Sequence, residues 1–247
     1  MAEATPIRFL SYGSTSIGRT RPQNEDAFLR DDHLRLYAVA DGVGGQPAGE
    51  IASAVVVRGL ADFFKNHKPA TGEDAVQTMK QALGVACHAV LERSKADIAC
   101  RGMATTLTAF WFVGRKAIFA HVGDSQGFLL RGSRIRQITE DHTVAGELRG
   151  RGVGGHHPAM RTVFAHMLTQ SVGPELPPDP QVCEVPIKRG DVLMLCSDGV
   201  TRQTTLNELS RVLRQNESPE RAVEELIQLA DERGGLDNAT ALVVKVI

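Results

Sequence analysis

The chain has 247 residues, 42% of them apolar and 23% charged, proportions that exclude disordered, collagen-like and coiled-coil classes and predict one globular domain over residues 1–247. With 28 Lys and Arg against 29 Asp and Glu, the net charge of −1 offers no global field to nucleic acid or an anionic membrane, so neither is expected as a partner. Apolar runs such as Val192 to Cys196 are too short to cross a bilayer, and Met1 to Pro6 lacks a leader pattern. Cys87, Cys100, Cys183 and Cys196 stand in apolar surroundings with no Cys-x-x-Cys pair, which predicts free thiols in a reducing, cytoplasmic setting.

Strand patterns cover Phe9 to Gly13 and Leu34 to Ala40. Two amphipathic helices follow: Ala52, Val55, Val56, Leu60 and Phe63 recur at helical spacing, and so do Met79, Leu83, Ala86, Val90 and Leu91. Then come four strands, Thr105 to Val113, Lys116 to Val122, Gln126 to Arg131 and Arg134 to Ile138. Gly114-Arg115 and Gly132-Ser133 suit tight II′ turns, so the expectation is an antiparallel meander of three or four consecutive strands. Glu147 to His157, rich in Gly, Arg and His, reads as a mobile surface segment. Further strands are expected at Val182 to Ile187, Val192 to Cys196 and Ala239 to Val246. Thr205 with Glu208 three residues later forms a capping box, and Ser218-Pro219 opens a last helix that stops at Gly234-Gly235. Hairpin-linked strands with helices in blocks argue for an α+β fold of antiparallel sheets covered by amphipathic helices.

An aspartate recurs beside the tips of apolar strands. Leu36 to Ala40 leads to Asp41-Gly42, Ile118 to Val122 to Gly123-Asp124, Val192 to Ser197 to Asp198-Gly199, and Asp237 immediately precedes the last strand. Asp-Gly is a common turn dipeptide, and each case alone reads as a turn. Together, strand ends of one sandwich bring these carboxylates into convergence, and converged carboxylates repel unless a hard cation such as Mg²⁺ or Mn²⁺ neutralises them. Arg21-Pro22-Gln23-Asn24-Glu25-Asp26 adds an arginine beside two more carboxylates, suited to gripping a phosphate with its planar fork; the plain alternative is a surface ion pair.

On these segments the chain resembles the PPM-type (type 2C) metal-dependent protein Ser/Thr phosphatases of the compact bacterial kind. The resemblance runs from about Ser11 to Val246. It is carried in order by Arg21-x-x-Asn24-Glu25-Asp26, Asp41-Gly42-Val43-Gly44-Gly45, Gly49-Glu50-Ile51-Ala52-Ser53, Gly102-Met103-Ala104-Thr105-Thr106, His121-Val122-Gly123-Asp124-Ser125, Thr139-Glu140-Asp141-His142, Ser171-Val172-Gly173, Ser197-Asp198-Gly199 and Asp237-Asn238-Ala239-Thr240. It implies an α-β-β-α sandwich with a metal cleft at one end of the two sheets and a small flap over about 142–170. It implies that Asp41 bridges two Mg²⁺ or Mn²⁺ ions, that the carbonyl of Gly42 binds one and that Asp198 and Asp237 complete the other. Glu25 and Asp26 would hold metal-bound waters, Arg21 the substrate phosphate, and Asp124 with Asp198 a third ion. The implied reaction is hydrolysis of phosphoserine and phosphothreonine by a hydroxide activated on the dinuclear centre, with no phosphoenzyme, by a monomer that counteracts a bacterial Ser/Thr kinase. Some relatives carry His where Val43 stands, a candidate general acid that valine cannot replace, and many carry Arg where this chain has Gln126.

Three other readings compete. Gly123-Asp124-Ser125-Gln126-Gly127 matches the Gly-x-Ser-x-Gly elbow of serine hydrolases, but the elbow needs a helix next and a strand is expected here. A phosphopeptide-binding pseudoenzyme on the same fold would have lost metal carboxylates, and all four aspartates are present. Gly42-Val43-Gly44-Gly45 lacks nucleotide-loop spacing. His156-His157 read as a solvated loop, and His121 as a hydrogen-bonded sheet residue.

Overall fold

The computed structural model describes residues 7–67, 74–153, 166–173 and 178–247. Among the described residues ten strands form two antiparallel five-stranded sheets. The first takes β1 (Phe9–Ser16), β6 (Gln126–Arg131), β7 (Arg134–Gln137), β9 (Val192–Cys196) and β10 (Ala239–Val246), in the order β1-β10-β9-β6-β7. The second takes β2 (Asp26–Asp31), β3 (Leu36–Asp41), β4 (Leu107–Val113), β5 (Lys116–Val122) and β8 (Gln181–Pro186), in the order β2-β3-β4-β5-β8. Helices α1 (Gly49–Asn66) and α2 (Ala75–Ala96) cover the second sheet. Helices α5 (Leu206–Gln215) and α6 (Pro219–Glu232) cover the first, with the single turn α4 (Asp198–Thr201) between β9 and α5. This is the expected α-β-β-α sandwich.

The central strands are apolar without interruption because both of their faces are buried. On β3, Leu36, Ala38 and Ala40 pack under α1 and α2, while Tyr37 and Val39 point between the sheets. On β10, Ala239, Ala241 and Val243 pack under α6, while Leu242, Val244 and Val246 meet the other sheet. Phe119 is almost fully buried in that inter-sheet layer, where an alanine would cost about 3–5 kcal/mol. β1 and β10 pair over eight residues, from Phe9 with Val246 to Ser16 with Ala239. The capping box of α5 and the Ser218 cap of α6 form as expected.

Three expectations are corrected. The meander is split: β4 and β5 pair in one sheet and β6 and β7 in the other, so the chain crosses the sandwich at Gly123-Asp124-Ser125. Gly123 adopts φ +105°, a region that glycine reaches without strain, and Ser125 is fully buried. Second, β2 forms over Asp26–Asp31, where no strand was expected. Third, residues 147–150 of the segment expected to be mobile belong to a helix, α3 (Val144–Gly150), whose first turn is held by the Thr143 hydroxyl accepting from Gly146 N at 3.0 Å. Of the expected flap, 142–153 and 166–170 are described; His156 and His157 lie outside the described residues.

Candidate metal centre

The site is the open end of the inter-sheet layer. Asp41 ends β3 on the same side as Tyr37 and Val39, and Asp26 on β2 is its register partner. Oδ2 of Asp26 accepts the Ser197 hydroxyl at 2.8 Å and the Thr240 hydroxyl at 2.6 Å. One carboxylate thus ties the two sheets together, while its Oδ1 is buried with no partner. Asp41 is fixed through its backbone: its N–H donates to Thr106 Oγ1 at 3.0 Å, and its carbonyl accepts from Thr106 N at 2.8 Å and the Thr105 hydroxyl at 2.9 Å.

Asp124 sits on the crossing between β5 and β6, Asp198 opens α4, and Asp237 precedes β10. Oδ2 of Asp198 lies 2.6 Å from Arg202 Nη2, and its Oδ1 is the second buried carboxylate oxygen without a partner. Oδ2 of Asp237 accepts from Arg21 Nη2 at 2.8 Å. Asn238 anchors the Arg21–Asp26 segment: its Oδ1 accepts from Glu25 N at 2.9 Å, and its Nδ2 donates to Ile17 O at 2.9 Å and Gln23 O at 3.0 Å. The glycines beside the aspartates answer to close packing. A Cβ on Gly42 would lie 2.5 Å from the Gly49 backbone, and one on Gly199 only 2.0 Å from Asn238 O.

Arg21, Glu25, Asp41, Gly42, Asp124, Asp198 and Asp237 line one cleft of about 770 Å³, and Asp26 stands just behind its wall. Burial raises the carboxyl of Asp41 well above the usual range, and Asp26, Asp198, Asp124 and Asp237 add to that by repulsion. Burial likewise pushes Asp26 and Asp124 up to about 7, and raises Asp198 and Glu25 against the opposing pull of Arg202 and Arg21. Two like charges 4 Å apart cost about 4 kcal/mol at an effective dielectric near 20, so this end of the sandwich is held together against its own charge.

That donor set fits hard divalent cations. It is all oxygen and strongly anionic, and it contains two buried carboxylate oxygens, Asp26 Oδ1 and Asp198 Oδ1, that no described residue satisfies. Among the described residues no three ligand side chains close on one point, and Asp198 and Asp237 each have an oxygen on an arginine. Val43 stands on the cleft wall and carries no proton. Ser125 is fully buried, its hydroxyl 2.7 Å from Thr106 Oγ1, and a strand follows it, so it is no nucleophile elbow. His121 is fully buried with both ring nitrogens engaged, near Thr108 Oγ1 at 2.8 Å and Glu140 O at 3.0 Å, and burial lowers it to about 3.

Every expected site residue therefore reaches the cleft or its immediate wall. Sequence reasoning missed three supporting residues. Thr106 and Asn238 both stand within motifs that carry the resemblance, with no role given. Arg202, four residues after Asp198, was readable from i,i+4 charge spacing.

The Protein phosphatase 2C family profile matches residues 14–243. The serine/threonine phosphatase Stp of Listeria monocytogenes is 32% identical over 235 residues, covering 94% of this chain and 93% of that protein. The serine/threonine protein phosphatase PstP of Mycobacterium tuberculosis is 34% identical along the whole of this chain, which spans 46% of that protein. The catalytic domain of PstP, solved with two manganese ions, superposes with a TM-score of 0.86 at 30% identity, covering 98% of this chain and all of that one. A profile match across most of the sequence, together with a shared fold, shows that this chain belongs to the protein phosphatase 2C family.

Proposed function

We propose that this chain hydrolyses phosphoserine and phosphothreonine in proteins, using Mg²⁺ or Mn²⁺ held by Asp41, the Gly42 carbonyl, Asp198 and Asp237. The observation that carries the reading is the pair of buried, unpartnered oxygens, Asp26 Oδ1 and Asp198 Oδ1, in a cleft of convergent carboxylates. When bound, the cations supply the Lewis acidity that makes water nucleophilic at neutral pH and offsets charge on the phosphoryl oxygens.

The chain's own residues do the rest. Arg21 lies beside Asp237 and over Gly44, where a Cβ would come within 3.3 Å of its Nη1. The donors that Asp237 leaves free are the ones offered to a phosphate. Glu25 and Asp26 would orient water around the cations, and Asp124 lines the cleft together with Asp198. Buried Ser125 offers no nucleophile for a phosphoenzyme, and Val43 offers no acid to the departing oxygen.

The inter-sheet layer is shared by both sheets, which supports one catalytic domain over residues 1–247. Among the described residues no helix is long and apolar enough to cross a membrane, and all four cysteines are unpaired, which supports a reducing, cytoplasmic setting. The phosphoproteins it consumes come from a Ser/Thr kinase. The test is phosphate release from a phosphothreonine peptide by the chelated protein with and without added Mn²⁺. Full turnover after verified metal removal refutes the reading.

A further inference from the structure

We infer that Arg202 is a built-in cation on the Asp124–Asp198 side of the cleft, standing where the family pattern implies a third divalent ion, so that the substrate-free protein holds two metal ions and not three. This rests on the dinuclear reading above. Arg202 follows Asp198 by one helical turn, and its Nη2 is 2.6 Å from Asp198 Oδ2. The carboxylate is thereby divided: one oxygen is committed to a guanidinium and the other, Oδ1, is left buried and unpaired for a core ion. Arg202 lines both the main cleft and a smaller side pocket, and Asp124 and Asp198 line the same two cavities. The guanidinium therefore stands beside both members of the pair.

Local charge points the same way. The Asp124–Asp198 pair already has the Arg202 guanidinium on Asp198, and a third divalent ion has to displace it. A guanidinium stays charged at any working pH and keeps no water of its own to acidify, so it neutralises the pair without offering a second source of hydroxide.

The test counts Mn²⁺ bound to the full chain without substrate, by equilibrium dialysis and elemental analysis. Wild type should hold two ions, Arg202→Gln three, and Arg202→Gln/Asp124→Asn two again. Arg202→Lys, which keeps the charge, should stay at two. Three ions in wild type or in the lysine variant, or two in Arg202→Gln, overturns the assignment. Fewer than two in wild type overturns the dinuclear reading itself, and this inference with it.

Discussion

Asp26 and Asp41 stand opposite one another on β2 and β3, two acids in one cross-strand pair at the mouth of the sandwich. Like charges in that position destabilise a sheet. The protein tolerates them by handing one oxygen of Asp26 to Ser197 and Thr240 of the facing sheet.

Asp41→Asn should therefore abolish turnover while making the metal-free protein more stable. Removing one charge from a buried, mutually repelling group relieves repulsion. At about 2–4 °C per kcal/mol for a chain of this size, the melting midpoint in chelator should rise by several degrees. Thermal scans in EDTA check this, and a lower midpoint than wild type would contradict the account of a strained anionic site.

Arg21→Ala should lower kcat/KM for a phosphopeptide by roughly 10- to 100-fold, the equivalent of losing one charged hydrogen-bond partner worth about 1.5–3 kcal/mol. Mn²⁺ stoichiometry should stay at the wild-type value, because the arginine touches Asp237 from the cleft side and is no ligand. Steady-state kinetics with metal analysis separate the two effects, and unchanged kinetics removes Arg21 from the substrate site.

Ser125→Ala should keep most of the activity and lose about 1 kcal/mol of stability with its buried hydrogen bond to Thr106. A variant that is folded and metal-loaded but inactive would return the serine to the chemistry.

The contact between α5 and α6 should show in acid. Arg233 holds the Glu208 carboxyl down to about 2, helped by Thr205. A carboxyl depressed on folding stabilises the protein above its unfolded value, near 4.5, and that contribution is lost as pH falls through about 2. The melting-midpoint gap between wild type and Glu208→Gln should be constant above pH 5 and shrink between roughly 4.5 and 2. A gap that widens on acidification would reverse the sign assigned to Glu208.

Much of this was legible in the residues, for identifiable reasons. Strands such as β3, β9 and β10 announce themselves because both faces are buried and nearly every position is apolar. The aspartates at their ends mark where the inter-sheet layer opens. β2 stayed hidden because it is an edge strand with three charged residues in six. The split of the meander was hidden because Gly123-Asp124-Ser125 reads like any short hairpin link; the crossing is set by the φ of Gly123 and the burial of Ser125, which only packing reveals. Helix α3 was masked by its glycine and arginine content, though Thr143 caps it. Arg202 escaped although its i,i+4 spacing from Asp198 was readable, because only packing shows that its partner is a buried carboxylate.

The pairing of β1 with β10 has a consequence in time. Arg21, Glu25, Asp26 and Asp41 leave the ribosome early, yet Glu25 is anchored by Asn238, Asp26 by Thr240, and Arg21 rests on Asp237. Chains are made from the N-terminus at about 5–20 residues per second, so these early residues wait on the order of ten seconds or more for the late ones that complete them. A nascent chain stalled or cut short before Asp237 carries most of the chemistry and none of the assembled centre. Synthesis itself is thus a safeguard: no fragment of this phosphatase can strip phosphates before the last strand has closed the sheet.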